Sequence, residues 1–144
     1  MSVNPERLSD GLSVRRQVLG AEYVDRSMAA SNELDAEFQE YVSEHCWGLC
    51  WTDDRLSLRE RSLATLAMTA ALGRMEEFRL HLRGAINNGL TRSEIAALIV
   101  QIGVYSGVPA AVASQRAFRE TLLAADAPAA GDDGTIETTN GSGE

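Results

Sequence analysis

Residues 73–89 carry the clearest local pattern of the chain, GRMEEFRLHLRGAINNG. Apolar side chains recur in this stretch at helical spacing, at Phe78, Leu82, Ala85 and Ile86. This spacing predicts a helix with one buried stripe. Gly89 stands where a left-handed C-terminal cap is needed, so we expect the helix to end there.

Three ionisable residues follow one flank of that stripe, Arg74, Glu77 and His81. They are three and four residues apart, so successive side chains are neighbours on the helix surface. At about 100° per residue, His81 lies roughly 60° from Phe78, at the edge of the buried face. A carboxylate one turn before an imidazole suits proton transfer. Surface helices also carry such residues as solvated ion pairs, and the residues alone leave both interpretations open.

The composition narrows the classes of function. A net charge of −8 argues against a nucleic-acid partner. All 13 basic residues are Arg, which excludes a Schiff base on a side-chain amine and favours bidentate recognition of carboxylates. No apolar run reaches the roughly 18 residues of a membrane span, and the sequence shows no signal-peptide pattern. We therefore expect a soluble cytoplasmic protein without a membrane partner.

Cys46 and Cys50 are the two cysteines of the chain. They would lie one turn apart on a helix, which is not the spacing of a thioredoxin-like motif. A disulfide between them would be strained and would close almost no loop. We expect two buried, reduced thiols, because a zinc site that includes His45 lacks a clear fourth ligand nearby.

The patterns along the chain predict an all-α fold of about six antiparallel helices joined by short loops. A first helix over Pro5–Leu19 lacks a clean apolar stripe, so we expect it to be an arm that packs on another element or on another subunit. Gly11 should weaken it by about 1 kcal/mol relative to Ala. An irregular stretch follows, with Asp25 as a possible N-cap of a brief turn. A second full helix is predicted over residues 34–47.

The second half of the chain has stronger boundary signals. Capping boxes beginning at Ser57 and Thr91 open two further helices. Pro109 suits the start of a last helix, which runs to about Ala125. From residue 127 the composition cannot bury enough apolar surface to offset the entropy of ordering. We therefore divide the chain into a helical domain, residues 1–126, and a disordered acidic tail, residues 127–144.

Short matches spread over residues 11–122 resemble the family of the 4-carboxymuconolactone decarboxylases, in the protocatechuate branch (β-ketoadipate pathway) of aromatic catabolism. The matches lie at residues 14–20, 24–27, 37–39, 47–48, 51–52, 61–63, 76–78, 81–83, 88–92, 94–95, 105 and 107–111. The resemblance implies an all-helical, alkyl hydroperoxide reductase D-like subunit in a ring-like homohexamer. It also implies a carboxy-lyase that needs no cofactor and binds a lactone dicarboxylate, 4-carboxymuconolactone, which it converts to 3-oxoadipate enol-lactone.

This chemistry suggests roles for particular residues. Loss of carbon dioxide from the ring carbon beside the ring oxygen gives a dienolate, which must then be protonated on carbon. We expect His81 to be the general acid and Glu77 to orient it or share the proton. The candidate substrate-binding residues are Arg15, Arg16 and Arg83 for the carboxylates, with Trp51 and Tyr105 as pocket walls. Large aromatic residues are, however, more often plain core.

Two other functions remain open. Peroxidase members of the wider superfamily carry Cys-x-x-Cys-x-x-x-His where this chain has Arg74, Glu77 and His81, so peroxide reduction by that route is not expected. A thiol-dependent peroxidase could still use Cys46 and Cys50. The third possibility is a non-catalytic helical oligomer that binds a small ligand. Cys46, Cys50 and residues 52–55 depart from the family pattern, which leaves a related lactone or β-keto acid open as the substrate.

Overall fold

The computed structural model describes residues 3–126, which form seven α-helices and one π-helical segment and contain no strand. The α-helices are α1 (Pro5–Leu19), α2 (Ala21–Ala29), α3 (Glu33–Tyr41), α4 (Leu58–Ala71), α5 (Met75–Asn87), α6 (Arg92–Ser106) and α7 (Val108–Asp126). The π-helical segment, Val42–Trp51, continues directly from α3. The prediction of an all-α fold is therefore confirmed. The tail predicted from residue 127 lies outside the described residues.

The boundaries of α4, α5 and α6 agree with the local sequence signals. Ser57 and Thr91 each accept a backbone hydrogen bond in a complete capping box. Gly73 and Gly89 have φ values of 68° and 88°, which L side chains rarely adopt, and they separate α5 from its neighbours. None of the described helices is long and apolar enough to cross a bilayer.

Helix α5 lies between two apolar clusters. The larger cluster joins α4, α5, α6 and α7 and consists of Leu66, Ala70, Phe78, Leu82, Ala85, Leu90, Ile95, Ile99, Ile102, Ala117 and Phe118. The smaller cluster joins α1, α2 and the π-helical segment and consists of Val14, Val18, Leu19, Val24, Trp47 and Trp51. Leu80 of α5 packs against this second cluster. Gly84 lets Val18 approach so closely that a Cβ would lie 2.9 Å from its Cγ1 atom.

Helix α1 packs on the π-helical segment of its own chain, so no second subunit is needed to explain its weak apolar stripe. A Cβ on Gly11 would lie 1.9 Å from the carbonyl oxygen of Ser43. A Cβ on Gly48 would lie 2.4 Å from the carbonyl oxygen of Arg7. The two elements therefore meet through their backbones at these glycines, and α1 does not need a continuous stripe of large apolar side chains. Gly11 serves this close approach.

The stretch between α1 and α4 contains more helix than the sequence predicted. The irregular stretch after Gly20 is α2, and Asp25 lies inside it, where it accepts a hydrogen bond from Arg16 at 2.8 Å. The helix predicted over residues 34–47 begins at Glu33 and runs on to Trp51. The apolar side chains of its α3 part are exposed, with relative exposures of 89% for Leu34, 62% for Phe38 and 45% for Tyr41. Their spacing is helical, but no element of the described chain covers them.

Candidate active site

His81 lies beside two buried tryptophans of the π-helical segment. Its ring centroid is 6.1 Å from that of Trp47 and 5.9 Å from that of Trp51, with interplanar angles of 16° and 13°. The two indoles stack on each other, with their centroids 4.8 Å apart. The imidazole therefore lies nearly parallel to a pair of apolar rings that keep water from one of its faces.

The surroundings of His81 favour its neutral form. Burial lowers the pKa of the imidazole, and the charge of Glu77 opposes this shift to a smaller extent. The Nδ1 atom is buried and has no hydrogen-bond partner within residues 3–126. Buried nitrogens without partners are uncommon in native proteins, and together with a perturbed pKa they mark a candidate functional group.

Glu77 lies one turn before His81 on α5, and its side chain is exposed. Within the described chain, no hydrogen bond or ion pair involves its carboxylate, which acts on His81 through space. Arg74 is the exposed N-cap residue, outside the regular part of the helix. The structure therefore retains Glu77 and His81 as a pair, and Arg74 is not part of it.

The π-helical segment was not predicted from the sequence. Its wider turns place Ser43, Trp47 and Trp51, which are four residues apart, on the buried side. Such segments are rare and often occur at functional sites. The pair of tryptophans on either side of Gly48 is the signal in the sequence that could have indicated a buried corner there.

Arg15 is a buried cation on α1, with 7% relative exposure. Its Nη1 atom donates to Oε1 of Gln39 at 3.0 Å and to Oγ of Ser43 at 3.2 Å. Its Nε atom is buried and has no partner among the described residues. Burial lowers the pKa of this guanidinium. The sequence suggested Arg15 as a carboxylate ligand, but it did not reveal that Gln39 and Ser43 position it.

The other predicted substrate-binding residues lie away from this group. Arg16 is exposed and pairs with Asp25. Arg83 lines a groove with Leu19 and residues of α7. Tyr105 is 83% exposed, near the end of α6. Within the described chain no ion pair, hydrogen bond or ring contact joins these three residues, or Arg15, to His81, so their roles in substrate binding stay predictions.

Cys46 and Cys50 are free and exposed, so the prediction of buried thiols is wrong. The tryptophans that follow each cysteine occupy the buried side of the segment and leave the thiols on the outer side. Arg61 donates from Nη1 to the Sγ atom of Cys50 at 3.4 Å. In the part of the chain that the structure describes, no three His, Cys, Asp or Glu side chains are grouped to hold a metal ion.

Comparison with known proteins supports one family. The model of the carboxymuconolactone decarboxylase family matches residues 36–120. The chain is 40% identical over 117 residues to a 4-carboxymuconolactone decarboxylase of Acinetobacter baylyi, an alignment that covers 81% of this chain and 87% of the relative. It is 34% identical over 113 residues to the nitrosuccinic acid decarboxylase npaB of Metarhizium robertsii, with 78% and 79% covered. A 4-carboxymuconolactone decarboxylase of Pseudomonas putida is 42% identical over 43 residues, which are 30% of this chain and 90% of that sequence. The chain belongs to the carboxymuconolactone decarboxylase family.

Proposed function

We propose that this protein is a carboxy-lyase that converts 4-carboxymuconolactone to 3-oxoadipate enol-lactone without a cofactor, in the protocatechuate branch of aromatic catabolism. The observation that carries the proposal is the half-buried imidazole of His81, which is stacked beside Trp47 and Trp51 and whose buried Nδ1 atom has no partner within residues 3–126. The two relatives that align with most of the chain are both named as decarboxylases. The cytoplasmic location stays a prediction.

The lactone itself provides the electron sink for this reaction. When the carboxylate on the ring carbon leaves as carbon dioxide, the electrons of the broken bond pass through the ring double bond to the lactone carbonyl oxygen. The resulting dienolate takes a proton on the carbon next to that carbonyl, and the enol-lactone forms. The enzyme must therefore bind the dianion, stabilise a delocalised negative charge and deliver one proton to carbon.

The environment of His81 suits the proton delivery. The imidazole favours its neutral form in the free protein because burial lowers its pKa. A bound dicarboxylate brings negative charge beside it and raises this pKa, so that the imidazole takes up a proton in the complex. Glu77, one turn earlier, acts in the same direction. Trp47 and Trp51 form an apolar wall. Beside such a wall, the localised charge of the departing carboxylate is destabilised more than the delocalised charge of the dienolate, which favours the reaction.

The direct test is turnover of 4-carboxymuconolactone by the purified protein, followed by loss of ultraviolet absorbance and release of carbon dioxide, with and without a chelator. We expect turnover under both conditions. Absence of turnover would contradict the proposal.

A thiol-dependent peroxidase is the second candidate, because Cys46 and Cys50 are exposed and Arg61 contacts Cys50. A peroxidase assay on the protein and on the Cys46→Ser, Cys50→Ser double variant separates the two functions. Thiol-dependent peroxide reduction that is lost in the double variant would favour this candidate.

We further propose that the protein is a homohexamer, as the family resemblance implies. The described chain leaves several apolar faces uncovered, and two of them have charges of opposite sign beside them. Large uncovered apolar patches mark interaction sites. The first, on α3, consists of Leu34, Phe38 and Tyr41, with Glu37 and Glu40 beside them. The second, on α7, consists of Val108, Val112 and Leu123, with Arg116 and Arg119 beside them. The two faces consist of different residues and carry opposite charges, so the α3 face of one subunit suits the α7 face of the next. Such a head-to-tail contact gives a ring when the rotation between successive subunits closes.

We expect Phe38→Glu to dissociate this assembly, because it places a charge in the apolar face of α3. Light scattering should give roughly six times the 15.6 kDa subunit mass for the unmodified protein and a smaller mass for the variant. Ala36→Glu, also exposed on α3 but on another side of the helix, is the matched control and should keep the mass unchanged. An unmodified protein that runs as a monomer would disprove the assembly.

A further inference from the structure

Arg15 has no carboxylate partner in the described part of the chain. Both acceptors of its hydrogen bonds, Gln39 and Ser43, are neutral. The ionisable groups that act on it are the phenol of Tyr23 and the thiol of Cys46, and neither is a carboxylate. Arg stays charged in proteins, and a buried charge is normally paired. A guanidinium buried among neutral acceptors therefore calls for an anion from outside residues 3–126.

The nearest buried carboxylate is engaged elsewhere. Glu44 follows Ser43 in the chain and is also buried. It accepts hydrogen bonds from the backbone nitrogen of Asn4 at 3.1 Å and from Nη1 of Arg7 at 3.4 Å. Two adjacent residues of the π-helical segment thus contact two different arginines, and the carboxylate pairs with Arg7. Among the described residues, no carboxylate neutralises the positive charge of Arg15.

The free edge of the guanidinium has the geometry of a carboxylate ligand. Nη1 is occupied by Gln39 and Ser43. Nε and Nη2 make no hydrogen bond to residues 3–126, and together they form a fork that matches the two oxygens of a carboxylate. Gln39 and Ser43 hold the fork in place from the opposite side without cancelling its charge.

We propose that Arg15, Gln39 and Ser43 form a carboxylate-binding subsite for the carboxylate that the substrate retains. This inference rests on the proposed function. A strong ion pair to the departing carboxylate would stabilise the ground state and slow the reaction, whereas a pair to the retained carboxylate persists through the transition state. Ser43 lies four residues before Trp47, on the same buried side of the π-helical segment, and Trp47 stacks beside His81. One segment therefore links the subsite to the proton donor.

Gln39→Glu tests the subsite because it places a carboxylate where Nη1 now donates at 3.0 Å. The new side chain neutralises Arg15 from within the chain. We expect a higher melting temperature in buffer and an increase of about tenfold or more in the KM for the lactone. The change in kcat should be smaller, because the lost interaction binds the substrate and the transition state equally. Gln17→Glu, exposed on α1, adds the same charge and should leave both values unchanged.

Sodium succinate provides a readout that does not depend on turnover. A ligand that binds the folded state raises the melting temperature by mass action. We expect succinate to stabilise the unmodified protein more than sodium chloride of equal ionic strength does, and to lose this effect in Gln39→Glu. Ser43→Ala, which removes one acceptor without adding charge, should weaken the effect and raise KM by a few fold. This second variant keeps the test usable if Gln39→Glu fails to fold.

The results separate the subsite from the proposed function. If Gln39→Glu and Ser43→Ala keep the normal KM and the normal response to succinate, the subsite is disproved even though the lactone is turned over. If succinate stabilises the protein through Gln39 but the lactone is not turned over, the proposed function fails. The assignment of the subsite to this substrate's retained carboxylate then fails with it. A lost response to succinate with an unchanged KM would also overturn that assignment.

Discussion

Replacing His81 with alanine is expected to lower kcat by about 10²–10⁴-fold, the usual contribution of a general acid. Protonation of the dienolate on carbon is slow without a positioned donor, and the chain has no Lys to replace the imidazole. The melting temperature should change little, because Ala favours the helix and the variant removes a buried nitrogen without a partner within residues 3–126. Turnover and circular dichroism on the same preparation measure both quantities.

His45→Ala is the matched control for this variant, since it removes the other imidazole of the chain. His45 contacts Tyr41 and is not stacked on Trp47 or Trp51. We expect this control to keep most of its turnover. If His81→Ala retains more than about a tenth of normal turnover, which is well short of the general-acid range, His81 is not the proton donor. Glu77 would then be the next residue to test.

The pH dependence of kcat/KM should show the lowered pKa of His81. A general acid acts in its protonated form, so kcat/KM should fall about tenfold per pH unit above the pKa of the free enzyme, which burial holds below the ordinary value of about 6.5. Between pH 6.5 and pH 8.5 this amounts to a decrease of about 100-fold. The pKa seen in kcat should be higher, because the bound dianion favours the imidazolium. Equal pKa values in the two profiles would contradict this coupling.

Stability should change with pH in the opposite direction. A lowered folded-state pKa means that the unfolded chain binds the proton more readily at this residue. The contribution of His81 is therefore fully present above its unfolded pKa of about 6.5, and it decreases as the pH falls from there toward the folded-state pKa. Denaturant unfolding of the unmodified protein and His81→Gln at several pH values isolates this contribution, which should be absent from the variant.

The parts of the fold that could be predicted from the sequence are those with local signals. Ser57 and Thr91 begin capping boxes, and Gly73 and Gly89 adopt left-handed conformations. The boundaries of α4, α5 and α6 could therefore be predicted from a few neighbouring residues each. Helix α2 was missed because Val24 is its one buried residue, and a single apolar side chain gives no periodicity.

The site was predictable only in part, for a related reason. His81 and Glu77 share one helix, so their spacing was visible in the sequence. Arg15 could be suggested from the chemistry of the arginine side chain and the family resemblance. Its positioning by Gln39 and Ser43 depends on how α1 packs against α3 and the π-helical segment. Neither the local sequence around Arg15 nor that around Gln39 and Ser43 contains a signal for this contact. The exposure of Cys46 and Cys50 likewise depends on the wider helical turns, which shift the side chains away from their α-helical positions.

The contact between Gly11, Gly48 and their opposing carbonyl groups has a consequence for how this scaffold can change. Helix α1 and the π-helical segment meet there mainly through main-chain atoms, with the stem of the Arg7 side chain beside Gly48. The spacing between Arg15 and the tryptophan pair is thus a property of the backbone, and core substitutions elsewhere will alter it little. In the proposed subsite, the main chain therefore sets the length of the dicarboxylate that fits, whereas replaceable side chains match the chemistry of its ring. Enzymes that diverge on this scaffold are therefore expected to accept substrates of similar length that carry different electron-withdrawing groups.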